Sequence, residues 1–291
     1  MVRSEHHRLI SVIQNIILLC MCIVTLFPFV VTISTALKDM TEIRSVNMTL
    51  FPQKPTLAPI QGILSDKNWI RYFANSFYVT LWSIVGALLI NSLAGFAFAR
   101  LEFRGKKVLF VLLLLGMMVP AQVTMLPAYV IMRYIPLAGG NNIWGQGGMG
   151  LLNSTTGLVI AYLCGSYGVF LYRQFLANFP SSLDDAARVD GLSYFGMYYR
   201  IYLPLSKPAL ATMVVIRATA TWNDYIWPLL MTQKEKMYTV QLALSQFRSD
   251  SGDIWNMIMA ATMFIMIPVI VLFLFLQKYF VEGIATSGLK G

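Results

Sequence analysis

The stretch that decides the architecture is Pro180-Ser181-Ser182-Leu183-Asp184-Asp185-Ala186-Ala187-Arg188-Val189-Asp190-Gly191. It is polar and short, and it sits between two long apolar runs. Ser182 with Asp185 three residues later reads as a capping-box start, Asp replacing the usual Glu or Gln. Asp184 and Asp185 suit the positive end of a helix dipole. Gly191 supplies the left-handed turn that closes a helix. The spacing predicts a helix of about two turns over 182–191. Behind it, Tyr194 to Leu203 predicts a second, aromatic-rich helix, and Pro204 and Pro208 break the chain before the next apolar run. Such a capped helix is either a plain connection lying at lipid headgroups or a knob for a partner. Ala186 and Ala187 permit close approach, and Arg188 and Asp190 offer charged contacts. The residues alone leave both open.

Outward from this segment the chain is apolar. Of its 291 residues, 57% are hydrophobic and 12% charged, against about 25% charged in a soluble domain. Too little polar surface remains to coat a water-soluble globule. A span needs about 20 mostly apolar residues, and six stretches qualify, about 13–37, 74–99, 108–132, 155–177, 209–231 and 257–280. The expected fold is an all-α integral membrane protein with six transmembrane helices. The fourth stretch is the weakest; its Ser166, Tyr167 and glycines suit close helix packing. The run from Leu9 to Leu37 is too long for a signal-peptide core and lacks a small-residue cleavage signature, so it reads as a retained helix.

Cation density sets the expected orientation. Arg100, Arg104, Lys106 and Lys107 fall within eight residues. Arg188, Arg200 and Lys207 follow the fourth stretch, Arg3 and Arg8 precede the first, and Lys278 and Lys290 close the chain. The loops at about 38–73, 133–154 and 232–256 offset their cations with Asp39, Glu42, Asp66, Glu235, Asp250 and Asp253. Both termini are therefore expected on the cytoplasmic side. The +9 net charge follows membrane topology and does not call for nucleic acid. The simplest division is 1–73 as a first helix with an outer segment, 74–280 as the membrane domain, and 281–291 as a cytoplasmic tail.

Several chemistries are excluded. Cys20, Cys22 and Cys164 lie in apolar runs without metal-ligand spacing, and His6 and His7 alone cannot close a metal site. The glycine-rich run 139–150 has neither the lysine nor the helix start of a phosphate loop. There is no nucleophile elbow, and Asp184 and Asp185 are already used as helix-start charges, so no catalytic residue, metal site or bound cofactor is expected. The 17 methionines read as pliable packing. A membrane transferase would need a polar cluster at one membrane face, and a stand-alone secondary transporter usually carries an inverted repeat; neither is visible.

The fifth stretch holds Arg217 and Asp224. Ionisable groups in a span are costly and face the bundle interior; seven residues apart, these two fall on roughly one helical face. The run Thr221-Trp222-Asn223-Asp224-Tyr225-Ile226-Trp227 mixes flat aromatics with hydrogen-bonding groups, as a sugar requires. An aromatic belt at the membrane boundary explains the same run.

The run Asp185-Ala186-Ala187-Arg188-Val189-Asp190-Gly191, with Ile201, Leu203-Pro204 and Pro208, resembles the EAA motif of binding-protein-dependent ABC importers. Asp185 stands for Glu, Leu192 for Ala and Tyr198 for Phe. The Trp-Asn-Asp-aromatic run and the ending Gly283-Ile284-Ala285-Thr286-Ser287-Gly288-Leu289-Lys290-Gly291 resemble the maltose-type G permeases of the carbohydrate branch. The resemblance implies a type I importer permease fold, and it implies that the chain is a transport subunit and not an enzyme. It makes Asp184, Asp185, Ala186, Ala187, Arg188, Asp190 and Gly191 a coupling helix seated in a cytoplasmic ATPase dimer, which alone holds ATP and magnesium. Thr286, Ser287 and Gly288 would touch that ATPase, and the loop at about 236–254 would meet an extracytoplasmic solute-binding protein. Arg217, Trp222, Asn223, Asp224, Tyr225 and Trp227 are the candidates for the substrate path. A second homologous permease, membrane lipid and a sugar complete the implied partners, in a bacterial inner membrane. The implied cargo is a di- or oligosaccharide; Arg217 leaves a polyol phosphate or an acidic saccharide open.

Overall fold

The computed structural model describes residues 2–47, 49–248 and 252–288, with side chains between 10 and 279 of these. Among the described residues all regular structure is helical: α1 (Val2–Ala36), α2 (Met40–Ile43), α3 (Ala58–Ser65), α4 (Lys67–Arg100), α5 (Lys106–Met118), α6 (Ala121–Arg133), α7 (Thr155–Ile160), α8 (Ser166–Ala177), α9 (Ser182–Val189), α10 (Tyr194–Met197), a π-helical turn (Tyr198–Tyr202), α11 (Leu203–Leu205), α12 (Lys207–Trp222), α13 (Ile226–Met231), α14 (Val240–Leu244) and α15 (Trp255–Gly288). Two compact units emerge, 1–67 with 244–267, and 68–243 with 268–291.

In the first unit, α1 is exposed on every face from Ile10 to Val30. A helix apolar all round has lipid as its solvent. The segment after it is held by hydrogen bonds. Asp39 accepts from the Met40 N–H at 2.7 Å and so caps α2. Glu42 accepts from the Thr49 hydroxyl at 2.9 Å and from the Gln53 N–H at 3.0 Å. The Lys38 ammonium donates to the Thr49 carbonyl, and the Asn256 amide donates to the Lys38 carbonyl at 3.2 Å. The Gln53 N–H above all holds the Glu42 carboxyl below its usual range, with Thr49 and Lys38 adding to the effect against desolvation.

In the second unit, the long helix α4 buries one side. Its buried positions Tyr72, Ser76, Val79, Ser83, Ala87 and Asn91 recur every three or four residues, the stripe of a helix packed on one side. One apolar cluster gathers Phe96, Tyr172, Leu176, Ala187, Met197 and Tyr202. Another gathers Val79, Leu152, Leu158, Tyr162, Trp227 and Met231.

Three apolar stretches depart from the straight spans that the sequence suggests. The 108–132 stretch is two helices, α5 and α6, bent by 105°. Pro120 sits at the bend as the residue before α6; it has no N–H to continue α5 and disfavours helical backbone at Val119. The 155–177 stretch is interrupted over 161–165 between α7 and α8. The 209–231 stretch starts earlier, at Lys207, and is interrupted at 223–225 between α12 and α13. Pro228, in the first turn of α13, cannot bond back to the carbonyl of Asp224. By length and composition, three helices among the described residues suffice to cross a membrane, over Ile10–Ala36, Lys67–Arg100 and Trp255–Tyr279, and up to five if each bent pair forms one span. The other bent pair joins Tyr194–Leu205 to Lys207–Trp222 at 79°, where Pro204 and Pro208 stand.

Candidate functional site

The polar segment that follows α8 folds as the eight-residue helix α9. Its C-terminal end is a complete Schellman closure. The Gly191 N–H donates to the Arg188 carbonyl at 3.0 Å, and the Leu192 N–H to the Ala187 carbonyl at 3.0 Å. Gly191 has φ +71°, and a Cβ there would meet nothing within 4 Å; the glycine is needed for its backbone angle alone. Leu192 packs on the cluster that contains Ala187, the apolar contact that accompanies this closure.

The N-terminal end differs from the capping box suggested by Ser182 and Asp185. The cap residue is Ser181, in helical conformation and without a side-chain bond. A helical cap residue cannot aim its hydroxyl at the first turn. The turn closes instead through the Asp184 N–H to the Ser181 carbonyl at 2.9 Å. Asp184 is engaged elsewhere. Its Oδ2 accepts from Arg100 at 3.1 Å and its Oδ1 accepts from the Tyr202 hydroxyl.

Arg100 is the clamp that the sequence reading passed over as a topology charge. It ends α4, and its Nη2 donates to the carbonyls of Leu176 at 2.6 Å and Phe179 at 2.8 Å, satisfying acceptors at the C-terminal end of α8. Its guanidinium lies 4.9 Å from the centre of the Tyr202 ring. One buried cation thus binds α4, the end of α8, the first turn of α9 and the π-helical turn.

The candidates on α9 divide by face. Ala187 is 1% exposed and Asp184 points inward to Arg100. Asp185, Ala186, Arg188 and Asp190 are exposed. Val189, at the outer end, is 87% exposed, an apolar tip amid charge. The aromatic helix behind it contributes the buried Met197, Tyr198 and Tyr202 and exposes Tyr194, Phe195 and Tyr199.

The fifth stretch assembles a second polar site at the two interruptions. Asp224 Oδ1 accepts from the N–H groups of Ile226 at 2.9 Å and Trp227 at 3.2 Å, and so starts α13. Its Oδ2 accepts from the Tyr162 hydroxyl at 2.6 Å, tying the 223–225 break to the 161–165 break. Arg217 forms no ion pair with Asp224 or any other carboxylate among the described residues; the break ends the common helical face expected of the two. Trp222 and Trp227 are buried at 5% and 3% exposure, while Tyr225 is 39% exposed. The Trp227 indole donates to the Gly157 carbonyl at 3.3 Å. Asn223 is exposed and bonds Thr219 and Gln241. The sequence reading missed Tyr162, whose only signal was a hydroxyl within a weak apolar run.

The loops at 133–154 and 232–243 are folded. The Tyr72 hydroxyl donates to Glu235 at 2.6 Å, the Asn75 amide donates to the carbonyls of Lys236 and Tyr238 at 2.9 Å each, and the Val240 N–H donates to Ser76 at 2.9 Å. Residues 235–240 are therefore bound along α4. The glycine-rich run is pinned by Asn141, whose amide donates to the carbonyls of Arg133 and Ile135, and it leaves Trp144 77% exposed. Asp250 lies outside the described residues, as do the side chains of His6, His7, Thr286 and Ser287 and the residues 289–291; the backbone of α15 reaches Gly288.

The sequence pattern of the family described as "Binding-protein-dependent transport system inner membrane component" matches residues 91–286. The arabinooligosaccharides transport system permease protein of Bacillus subtilis is 32% identical over 269 residues, 91% of this chain and 91% of that protein. The sn-glycerol-3-phosphate transport system permease protein of Yersinia enterocolitica is 29% identical over 97% of this chain and 99% of that protein. A solved bacterial ABC transporter involved in the import of the acidic polysaccharide alginate has a similar fold, with TM-score 0.78 and 23% identity over 94% of this chain and 97% of that one.

Proposed function

This chain belongs to the family of binding-protein-dependent transport system inner membrane components, and from that premise we propose that it is one permease subunit of an ATP-driven sugar importer. It is a multi-pass membrane transport subunit and not an enzyme. The bent α5–α6 pair and the interrupted 155–177 and 209–231 stretches complete six spans with both termini in the cytoplasm of a bacterial cell. A second permease, a cytoplasmic ATPase dimer and an extracytoplasmic binding protein complete the machine. The cargo is a di- or oligosaccharide, in keeping with the arabinooligosaccharide relative; the alternative is a polyol phosphate, in keeping with the glycerol-phosphate relative, or an acidic saccharide.

The observation that carries this reading is α9. It is a short helix, closed at its far end, exposed along one face and fastened by Arg100 to the ends of α4 and α8. A helix loosely attached to the spans could bind a motor but could not pass on its motion. Here nucleotide-driven closure of the ATPase moves α9, the clamp carries that displacement into α4 and α8, and the cavity alternates between the two sides. That is coupling between two sites through a bistable element. In reconstituted complexes, loaded binding protein is expected to stimulate ATP hydrolysis. Deleting 184–191 is expected to abolish transport while the subunit still inserts. Transport retained by that deletion would sink the reading.

A further inference from the structure

We infer that Arg217 forms an anion subsite on the translocation path, so that the cargo carries a carboxylate or phosphate group. The inference rests on the importer reading and specifies its substrate class. An arginine keeps its charge at every relevant pH, and a charge inside a membrane requires a counter-charge or a polar cavity. Among the described residues no carboxylate pairs with Arg217. Between residues 68 and 243 the acids are Glu102, Asp184, Asp185, Asp190, Asp224 and Glu235. Asp224 is the one inside an apolar stretch, and both its oxygens are engaged, by Tyr162 and by the start of α13.

Arg217 instead faces space. With Asn91, Tyr167 and Gly168 it lines a cavity of about 300 Å³. The neighbouring backbone is shaped for it. A Cβ at Gly165 would stand 2.8 Å from the guanidinium Nη2, and one at Gly168 would stand 2.6 Å from the Asn91 amide nitrogen. The glycines thus leave room for the two polar heads. Asn91 Oδ1 accepts from the Gly165 N–H at 3.1 Å, which fixes the amide and the non-helical break together. Non-helical backbone at membrane depth is tolerated where it is buried in protein or lines a cavity. A guanidinium beside an amide and a tyrosine is the donor set for a planar or tetrahedral oxyanion attached to a hydroxylated body.

The test uses the complete transporter, purified on this chain with its permease partner, ATPase and binding protein, in vesicles loaded with ATP. Uptake of digalacturonate is compared with neutral galactobiose, and sn-glycerol 3-phosphate with glycerol. We expect the wild-type complex to take up at least one anion in preference to its neutral counterpart; which one it takes separates carboxylate from phosphate. Arg217→Gln is expected to lower that uptake by about tenfold or more, the loss of a charge-assisted contact, with neutral uptake lowered less. Arg217→Lys, which keeps the charge but not the fork, is expected to lower it less. Should the glutamine variant not assemble, the lysine variant decides: a reduced anion-to-neutral ratio supports the subsite, and an unchanged ratio overturns it. Wild-type uptake of neutral probes alone overturns the subsite and leaves the importer standing. Equal losses for both probes in Arg217→Gln would assign Arg217 to a partner's carboxylate and also overturn the subsite. Absence of any ATP-driven uptake overturns both readings.

Discussion

Arg100 and Asp184 meet at 3.1 Å, joining the last residue of one long helix to the first turn of a short one 84 residues away. Their side chains are 8% and 15% exposed, so water screens the pair little. Arg100→Ala leaves Asp184 without its cation and strips the carbonyls of Leu176 and Phe179 of a donor. Breaking one side of a buried pair costs about 3–5 kcal/mol. We expect faster hydrogen exchange across 182–191. We also expect ATP hydrolysis to persist while transport per ATP falls. An unchanged ratio with normal exchange would remove the clamp from the mechanism.

Asp184 and Asp185 adjoin in sequence and part in role. Asp184→Asn weakens the clamp and is expected to destabilise the subunit. Asp185→Asn and Ala186→Leu alter an exposed face and shift stability by no more than about 0.5 kcal/mol. Their expected effect is loss of ATPase retention on co-purification, with the melting behaviour of the isolated subunit unchanged.

Gly191→Ala places a Cβ at φ +71°, a conformation that costs a non-glycine residue about 1–2 kcal/mol. No neighbour lies within 4 Å of that Cβ, so the effect is confined to the backbone. Gly191→Asn, better tolerated in this region, is expected to restore most of the lost exchange protection and transport. Equal behaviour of the two variants would count against a conformational cause.

The bond from Tyr162 to Asp224, 2.6 Å long, ties two interrupted helices together. Tyr162→Phe removes it and leaves the carboxylate its contacts at the start of α13. A hydrogen bond to a charged group contributes about 1.5–3 kcal/mol. Cysteine cross-linking or exchange measurements are expected to report loosened 161–165 and 223–225 segments.

Glu42 predicts an acid response in the segment that follows α1. Its folded value lies below the ordinary carboxylate range, chiefly through the Gln53 N–H. A lowered value means the ionised form is the bound one, so the stabilisation is complete above the unfolded value and fades as pH falls through the folded value. Amides at 49–53 are expected to exchange faster in that acid window. Glu42→Gln is expected to remove the pH step; a step that survives it belongs to another group.

What could be read from the sequence was whatever local chemistry dictates. Gly191 had to close a helix, Pro204 and Pro208 had to turn the chain, and the apolar runs had to be helices. What escaped lay in contacts between distant residues and in competition for partners. The capping box at Ser182 failed because Ser181 took helical backbone and Asp184 was drawn to Arg100, a residue that looked like an ordinary topology charge. Pro120 was visible as a breaker, yet the apolar window around it concealed the bend. The interruptions at 161–165 and 223–225 depend on Tyr162 reaching Asp224 across 62 positions, and no periodicity records that. The heptad-like relation of Arg217 to Asp224 assumed an unbroken helix.

The dimensions of α9 set a limit on how firmly such a lever is held. Eight residues make a rod about 12 Å long, and a buried face of that length falls far short of the roughly 1,000 Å² typical of lasting associations. With one bare valine at its tip, the knob gives a hold that is reversible by construction. If α9 docks on an ATPase as proposed, firm attachment would come from several such seats acting at once, and slackening any one of them should release the others.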